Sequence, residues 1–237
     1  MNLYESNTMH DLLGDVLRPG GFEITKRALE YCKFESGDCL LDAGCGMGAT
    51  INYINNNYDF KIIGLDKSEK LASLARELNK NTEIIVSSAE STIFEDKMFD
   101  GVLAECTLSL MDVNKALMEI NRVLKNNGYL IITDLYVNNT EFLDDLKRYP
   151  VNTCLKSPFD LQALKKHLVD SGFKIILAEK YDDVLIQLMA DIIFRGGSMD
   201  KLLCAGDCFD SNMKNLLIKS KPGYFLIIAQ KEEFNAG

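Results

Sequence analysis

Leu41-Asp42-Ala43-Gly44-Cys45-Gly46-Met47-Gly48-Ala49-Thr50 is the stretch on which the reading of this chain turns. An apolar run, Cys39-Leu40-Leu41, enters it, three glycines stand at alternate positions, and helix-forming sequence leaves it. Glycine reaches positive φ without penalty and lets a ligand lie against bare backbone. The helix beginning beyond the loop offers unpaired N–H groups. A plain turn between strand and helix does not need so many glycines so close together.

Outward from this loop the chain alternates short apolar runs with amphipathic stretches. The runs are Cys39-Leu40-Leu41, Lys61-Ile62-Ile63-Gly64-Leu65, Glu83-Ile84-Ile85-Val86, Phe99-Asp100-Gly101-Val102-Leu103 and Tyr129-Leu130-Ile131-Ile132. Each is nearly continuous and bounded by Gly, Asp or Asn, which is the pattern of strands buried on both faces of a parallel sheet. Between them, 68–79 opens on a serine suited to cap a helix, and 112–125 runs into the stop signal Asn126-Asn127-Gly128. Such β-α-β units wind right-handed into a doubly wound α/β sheet. Further on, 157–171 and 183–195 read as helices, and 172–181 and 223–231 as strands. Upstream, 9–17 and 22–34 read as helical, separated by the break Arg18-Pro19-Gly20-Gly21.

Composition narrows the function. The net charge of −9 repels phosphate backbones, so no nucleic acid is expected as partner. No apolar run approaches the ~20 residues that cross a bilayer, and the first residues lack a basic-then-apolar leader. A cytoplasmic enzyme, monomer or homodimer, without membrane attachment is the expectation. The seven cysteines are scattered rather than framed for disulfides, and two histidines exclude a histidine-rich metal site.

Gly44, Gly46 and Ala49 also satisfy the dinucleotide fingerprint, with Asp66 about where a ribose-binding acid belongs. A nicotinamide-dependent reductase is therefore one alternative, and a non-catalytic cofactor-binding module another. Asp42 weighs against the reductase: a carboxylate aimed at the loop repels a pyrophosphate and suits a cationic ligand. No Tyr-x-x-x-Lys pair is present for hydride chemistry.

The chain resembles the class I S-adenosylmethionine-dependent methyltransferases, in particular the small-molecule branch with quinone-pathway and arsenite enzymes. Asp42 to Gly48 is similar to the family's first motif. Ile63-Gly-Leu-Asp-Lys-Ser68 is similar to its second-strand motif, and Ser87-Ser-Ala-Glu90 stands where the family often has Gly-Asp-Ala-Glu. Phe99 to Glu105 resembles its fourth strand, and Val123 to Leu130 the approach to its fifth. The resemblance implies a Rossmann-like, seven-stranded sheet with the last strand antiparallel, helices on both faces and an N-terminal helical lid. It divides the chain into a lid, 1–36, and a single methyltransferase domain, 37–237, with an insertion near 183–220.

It also implies S-adenosyl-L-methionine as cofactor, S-adenosyl-L-homocysteine as product and a small-molecule methyl acceptor. Asp42, Gly44, Cys45, Gly46, Gly48, Asp66, Lys67, Ser88, Ala89, Glu90 and Glu105 become the cofactor-binding candidates. Asp66 is expected on the ribose hydroxyls. Because Ser88 replaces the family's acid, adenine recognition shifts toward the Ala89 backbone. Glu105, at the end of the fourth strand, is the candidate base if the acceptor is a hydroxyl, and Cys106 stands beside it. Tyr4 and Arg18 become lid residues. Cys204 and Cys208, the only close cysteine pair, lie in the insertion. With Cys106 they would suit a soft acceptor, a thiol or metalloid, and a structural zinc is not expected from two cysteines alone.

Overall fold

The computed structural model describes residues 18–148, 154, 157–194 and 211–233. The first element is helix α1 (Glu23–Cys32). There follow β1 (Cys39–Ala43), α2 (Ala49–Asn57), β2 (Lys61–Asp66), α3 (Glu69–Leu78), β3 (Ile84–Val86) and β4 (Phe99–Glu105). Next come α4 (Val113–Val123), β5 (Leu124–Val137), the short α5 (Leu143–Lys147), α6 (Leu161–Asp170) and β6 (Phe173–Lys180). The described chain ends with α7 (Asp182–Phe194), α8 (Ser211–Ser220) and β7 (Pro222–Lys231).

The seven strands form one sheet in the order β3-β2-β1-β4-β5-β7-β6. β1, β2, β3, β4 and β5 pair in parallel, and β7 runs antiparallel between β5 and β6. The chain winds outward from β1 to β3, then crosses back to β4 and winds the other way. The β1–β4 gap is therefore the topological switch point, where open α/β sheets bind ligands at the strands' C-terminal ends.

Alternation along each strand feeds two cores. Leu41 and Ala43 of β1 pack with Ala116, Leu117 and Ile120 of α4 and with Leu164 and Leu168 of α6. Leu40, the residue before Leu41, faces the opposite layer with Ile24, Ala28 and Leu29 of α1, Ile51 and Ile54 of α2, and Ala72 and Ala75 of α3. Helix starts are fixed by side-chain caps. Ser68 accepts from Leu71 N at 3.2 Å, and Asp112 accepts from Lys115 N at 3.3 Å. Asp160 accepts from Gln162 N at 2.8 Å.

Ile24, Thr25, Ala28, Leu29 and Cys32 of α1, inside the stretch expected as an N-terminal lid, are buried against the sheet. An amphipathic helix with five inward residues gains by covering a sheet face. The structure departs from the sequence reading where α4 stops at Val123 and β5 begins at Leu124, earlier than Asn126-Asn127-Gly128 implied; Asn127 takes the turn at φ +62°. Within the expected insertion, α8 packs as a helix, with Met213 and Leu217 buried.

Candidate active site

Three strand ends build the site. The loop after β1 turns through Gly44, Gly46 and Gly48 at φ +89°, +54° and +80°. A β-carbon on Gly44 would lie 2.5 Å from Thr107 Cγ2, so that position needs glycine for fit as well as conformation. A β-carbon on Gly46 meets no atom within 4 Å. Gly46 is the open side of the loop, where a ligand can approach bare backbone.

Asp66, at the end of β2 and only 8% exposed, ties this loop to the next helix. Its Oδ2 accepts from Gly46 N at 2.9 Å and its Oδ1 from Ser68 N at 2.8 Å. Asp66 is not needed as the cap of α3, because Ser68 caps that helix itself.

Asp42 is 3% exposed and Glu105 8% exposed, both lining the same cleft. Burial, then the charges of Glu105 and Asp66, push the Asp42 carboxyl up to about 8, with Arg18 acting in the opposite sense. Both oxygens of Glu105 are engaged. Its Oε1 accepts from Thr25 Oγ1 at 2.7 Å and its Oε2 from Thr50 Oγ1 at 2.9 Å. Arg18 pairs with Oε2 at 3.1 Å and also donates to both threonines. Burial opposes the Arg18 charge, but Glu105, with smaller contributions from Tyr224, Asp42 and Cys106, raises its pKa above the ordinary value. With both oxygens committed to Thr25, Thr50 and Arg18, Glu105 is held in place rather than turned toward an acceptor, so this geometry argues against it as the base. Thr25 on α1 and Thr50 on α2 are its partners, which the sequence reading did not identify.

The cleft measures about 1070 Å³ out to the solvent at its mouth. Four carboxylates (Asp42, Asp66, Glu90, Glu105) and two cations (Arg18, Lys67) line it. Ser88, Ala89 and Glu90 form one wall; Ser88 Oγ donates to Glu90 Oε2 at 3.2 Å and accepts from Glu90 N at 3.3 Å. Cys106, Thr107, Leu110 and Met111 also line the cleft, with Thr107 packed against the glycine loop.

Residues 41–132 match the family model described as a methyltransferase domain. Over those residues, which hold the glycine loop, Asp66 and Glu105, the chain is similar to that methyltransferase domain. The phosphoethanolamine N-methyltransferase 1 of Arabidopsis thaliana is 27% identical over 179 residues, covering 72% of this chain and 35% of the relative. An uncharacterized protein of Methanocaldococcus jannaschii is 37% identical over 117 residues, 46% of this chain and 42% of the relative. The chain spans about a third of the length of the plant relatives it matches.

Among solved structures, a Haemonchus contortus phosphoethanolamine N-methyltransferase 2 bound to S-adenosyl-L-methionine superposes with a TM-score of 0.74 at 18% identity. That match covers 96% of this chain and 56% of the other. The cyclase SpnF superposes at 0.73 and 20% identity, covering 98% and 97%. At these identities the likeness is one of fold.

Within this methyltransferase fold, the structure brings together Asp42, Gly44, Cys45, Gly46, Asp66, Lys67, Ser88, Ala89, Glu90, Glu105, Cys106 and Arg18 around one cleft. Gly48 stands just behind, as the N-cap of α2. Tyr4, Cys204 and Cys208 lie outside the described residues. Cys45 is buried, and burial raises its thiol well above the ordinary range, so it is a packing residue rather than a nucleophile.

Cys106 stands in the left-handed region at φ +56°, an uncommon conformation for a residue with a side chain, immediately beyond β4. Its N–H donates to Thr133 O at 2.7 Å, and its Sγ lies 3.4 Å from Tyr224 Oη. The Cys154 thiol hydrogen-bonds it, and this contact together with burial keeps Cys106 protonated. Asp134 on β5 is wholly buried beside them. Ser109 N and Oγ each donate to it at 3.0 Å and Leu135 N at 2.8 Å, while burial pushes the carboxyl up to about 6. Asp134 and Cys154 carry no sequence motif and are recognised only from the fold.

Among the described residues no helix is long and apolar enough to cross a membrane.

Proposed function

We propose that this chain transfers the methyl group of S-adenosyl-L-methionine to a small thiol. The observation that carries the cofactor half is Asp66, anchored by Gly46 N–H and Ser68 N–H at the mouth of a glycine loop whose open side faces the cleft. In this reading Asp66 takes the ribose hydroxyls, and Ser88, Ala89 and Glu90, with Lys67 near the ribose edge, surround the adenine. Asp42 faces the ammonium and sulfonium end. A cleft with four carboxylates against two cations favours a cationic ligand over a pyrophosphate, which counts against the nicotinamide alternative.

The bound cofactor would supply an electrophilic methyl group on a cationic sulfur. The residues then have to hold the acceptor in line at near-attack distance and keep water out, so most of the catalysis is positioning. Arg18, Thr25 and Thr50 lock Glu105 as a fixed wall of the cleft, a positioning role, and α1 thereby closes the site from its N-terminal side.

The thiol half rests on the acceptor wall. It is built from Cys106, Thr107, Leu110 and Met111, apolar and soft. A phosphobase such as the relatives' substrate needs a cationic phosphate seat. Among the described lining residues the cations are Lys67, on the ribose side, and Arg18, already paired with Glu105. A metalloid acceptor would depend on Cys204 and Cys208, which lie outside the described residues.

The test is S-adenosylhomocysteine formation from purified protein and S-adenosylmethionine, with small alkyl and aryl thiols in one series and phosphoethanolamine in the other. Turnover with thiols and none with phosphoethanolamine is the expected result. Turnover of phosphoethanolamine alone would overturn the acceptor class. Cofactor binding with no turnover on either would favour a non-catalytic cofactor-binding module.

A further inference from the structure

A thiol acceptor has to lose its proton, yet the one carboxylate at the reaction centre expected to serve as base, Glu105, is committed to Arg18, Thr25 and Thr50. A second group of side chains lies on the acceptor wall. The Sγ atoms of Cys106 and Cys154 and a carboxylate oxygen of Asp134 all lie within 4.8 Å of one another. Cys106 lines the cleft, while Asp134 sits behind it in the sheet.

We propose that Cys106, Cys154 and Asp134 bind a thiophilic divalent cation of the zinc type, with its open position facing the cleft, where it takes the acceptor's sulfur. The proposal rests on the thiol-methyltransferase reading above.

Two thiolates and a carboxylate are a donor set for borderline-soft cations, and three protein ligands with one open position is the arrangement of catalytic zinc. With metal–sulfur bonds of about 2.3 Å and metal–oxygen bonds of about 2.1 Å, tetrahedral ligands stand roughly 3.5–3.8 Å apart. The observed cluster, with its atoms within 4.8 Å of one another, therefore needs to contract by about 1.3 Å at most to meet those bond lengths. Its surroundings orient it: Ser109 N–H and hydroxyl and Leu135 N–H hold Asp134, and Tyr224, which donates to Thr133 Oγ1 at 2.9 Å, flanks the Cys106 sulfur. Partners of this kind orient ligands and tune the metal.

Metal binding displaces the protons of both cysteines to solvent. An acceptor thiol coordinated at the open position loses its proton as well. Methyl transfer then forms the carbon–sulfur bond to the acceptor and breaks the bond to the sulfonium, leaving a neutral thioether with weaker affinity for the cation. No external oxidant or reductant is needed. The sequence reading expected no metal, having two histidines and the pair Cys204 and Cys208 to weigh; Cys154 is brought to Cys106 by the fold.

The experiment is titration of the full, reduced, metal-free chain with Co²⁺ and then Zn²⁺. It follows thiolate-to-cobalt charge-transfer absorption and the bound-metal stoichiometry. One cobalt per chain with a thiolate band, displaced by zinc, is expected. Cys154→Ser and Asp134→Asn should each weaken binding by about 100-fold or more, and Cys32→Ser, elsewhere in the core, should leave it unchanged.

Circular dichroism and S-adenosylhomocysteine titration of every variant separate loss of the metal site from loss of the fold or of the cofactor site. Absence of cobalt binding by wild-type protein would overturn the proposal. So would a band indifferent to Cys154→Ser, or arsenite binding with zinc excluded. If S-adenosylhomocysteine still binds in any of these cases, the methyltransferase reading stands without the metal.

Discussion

Replacing Asp42 by Asn should make the ligand-free protein more stable, and increasingly so as the pH rises. Asp42 in the unfolded chain loses its proton near its ordinary 3.8, but in the folded protein it keeps the proton until about 8. Between those values folding takes up a proton, so stability falls with rising pH by about 1.4 kcal/mol per unit for one fully coupled group. Asparagine does not titrate and escapes this loss. From pH 6 to pH 8 the gap between variant and wild type should therefore widen by about 2 kcal/mol in favour of the variant. For a chain of this size that is roughly 4–8 °C in Tm.

Thermal unfolding of both proteins at pH 6, 7 and 8 reads this directly. A saturating cationic cofactor should reverse the order, because it pulls the Asp42 proton off and then pairs with the charge that Asn lacks. A gap that stays flat across the three pH values would refute the argument that Asp42 is held protonated by burial and by Glu105.

Further substitutions probe the rest of the site. Gly46→Ala and Gly44→Ala should behave differently: the first places its methyl in open cleft and costs about 1 kcal/mol for φ +54°, while cutting S-adenosylhomocysteine affinity at least about 10-fold. The second drives a β-carbon to 2.5 Å from Thr107 and should cost about 2–4 kcal/mol by chemical denaturation. Asp66→Ala should weaken S-adenosylhomocysteine about 100-fold by calorimetry and cost about 1–3 kcal/mol of stability, since Gly46 N–H and Ser68 N–H lose their acceptor. Arg18→Met alone should destabilise by about 3 kcal/mol, leaving the Glu105 carboxylate buried without its cation, whereas Arg18→Met with Glu105→Gln should recover most of that loss. Simple additivity in urea melts would deny the ion pair.

The strands and the loop were legible because they rest on local rules. Continuous apolar runs such as Lys61–Asp66 are buried on both sides, and the three glycines announce positive φ before any contact is known. The positions of Asp42, Asp66 and Glu105 at strand ends followed from that register, and all three line the cleft. Their chemistry did not follow. Whether Glu105 is a base or a locked wall depends on Thr25, 80 residues away on α1, and on Arg18 across the break at Gly20-Gly21. Nothing in the spacing of those residues encodes the contact.

The cysteines teach the same lesson. Proximity in sequence singled out Cys204 and Cys208, whereas the fold places Cys154 beside Cys106 with Asp134 of the neighbouring strand. The N-terminal helix was recognisable as amphipathic, yet which surface its apolar face would cover was a property of the sheet. It covers Leu40, Ile62 and Leu103 and so joins the body.

The most direct test is calorimetric titration of the wild-type chain with S-adenosylhomocysteine, with NADH titrated in parallel. Micromolar binding of S-adenosylhomocysteine at one site per chain, lost in Asp66→Ala, with no heat from NADH, is the expected result. Binding of NADH with no binding of S-adenosylhomocysteine would contradict the account at its centre.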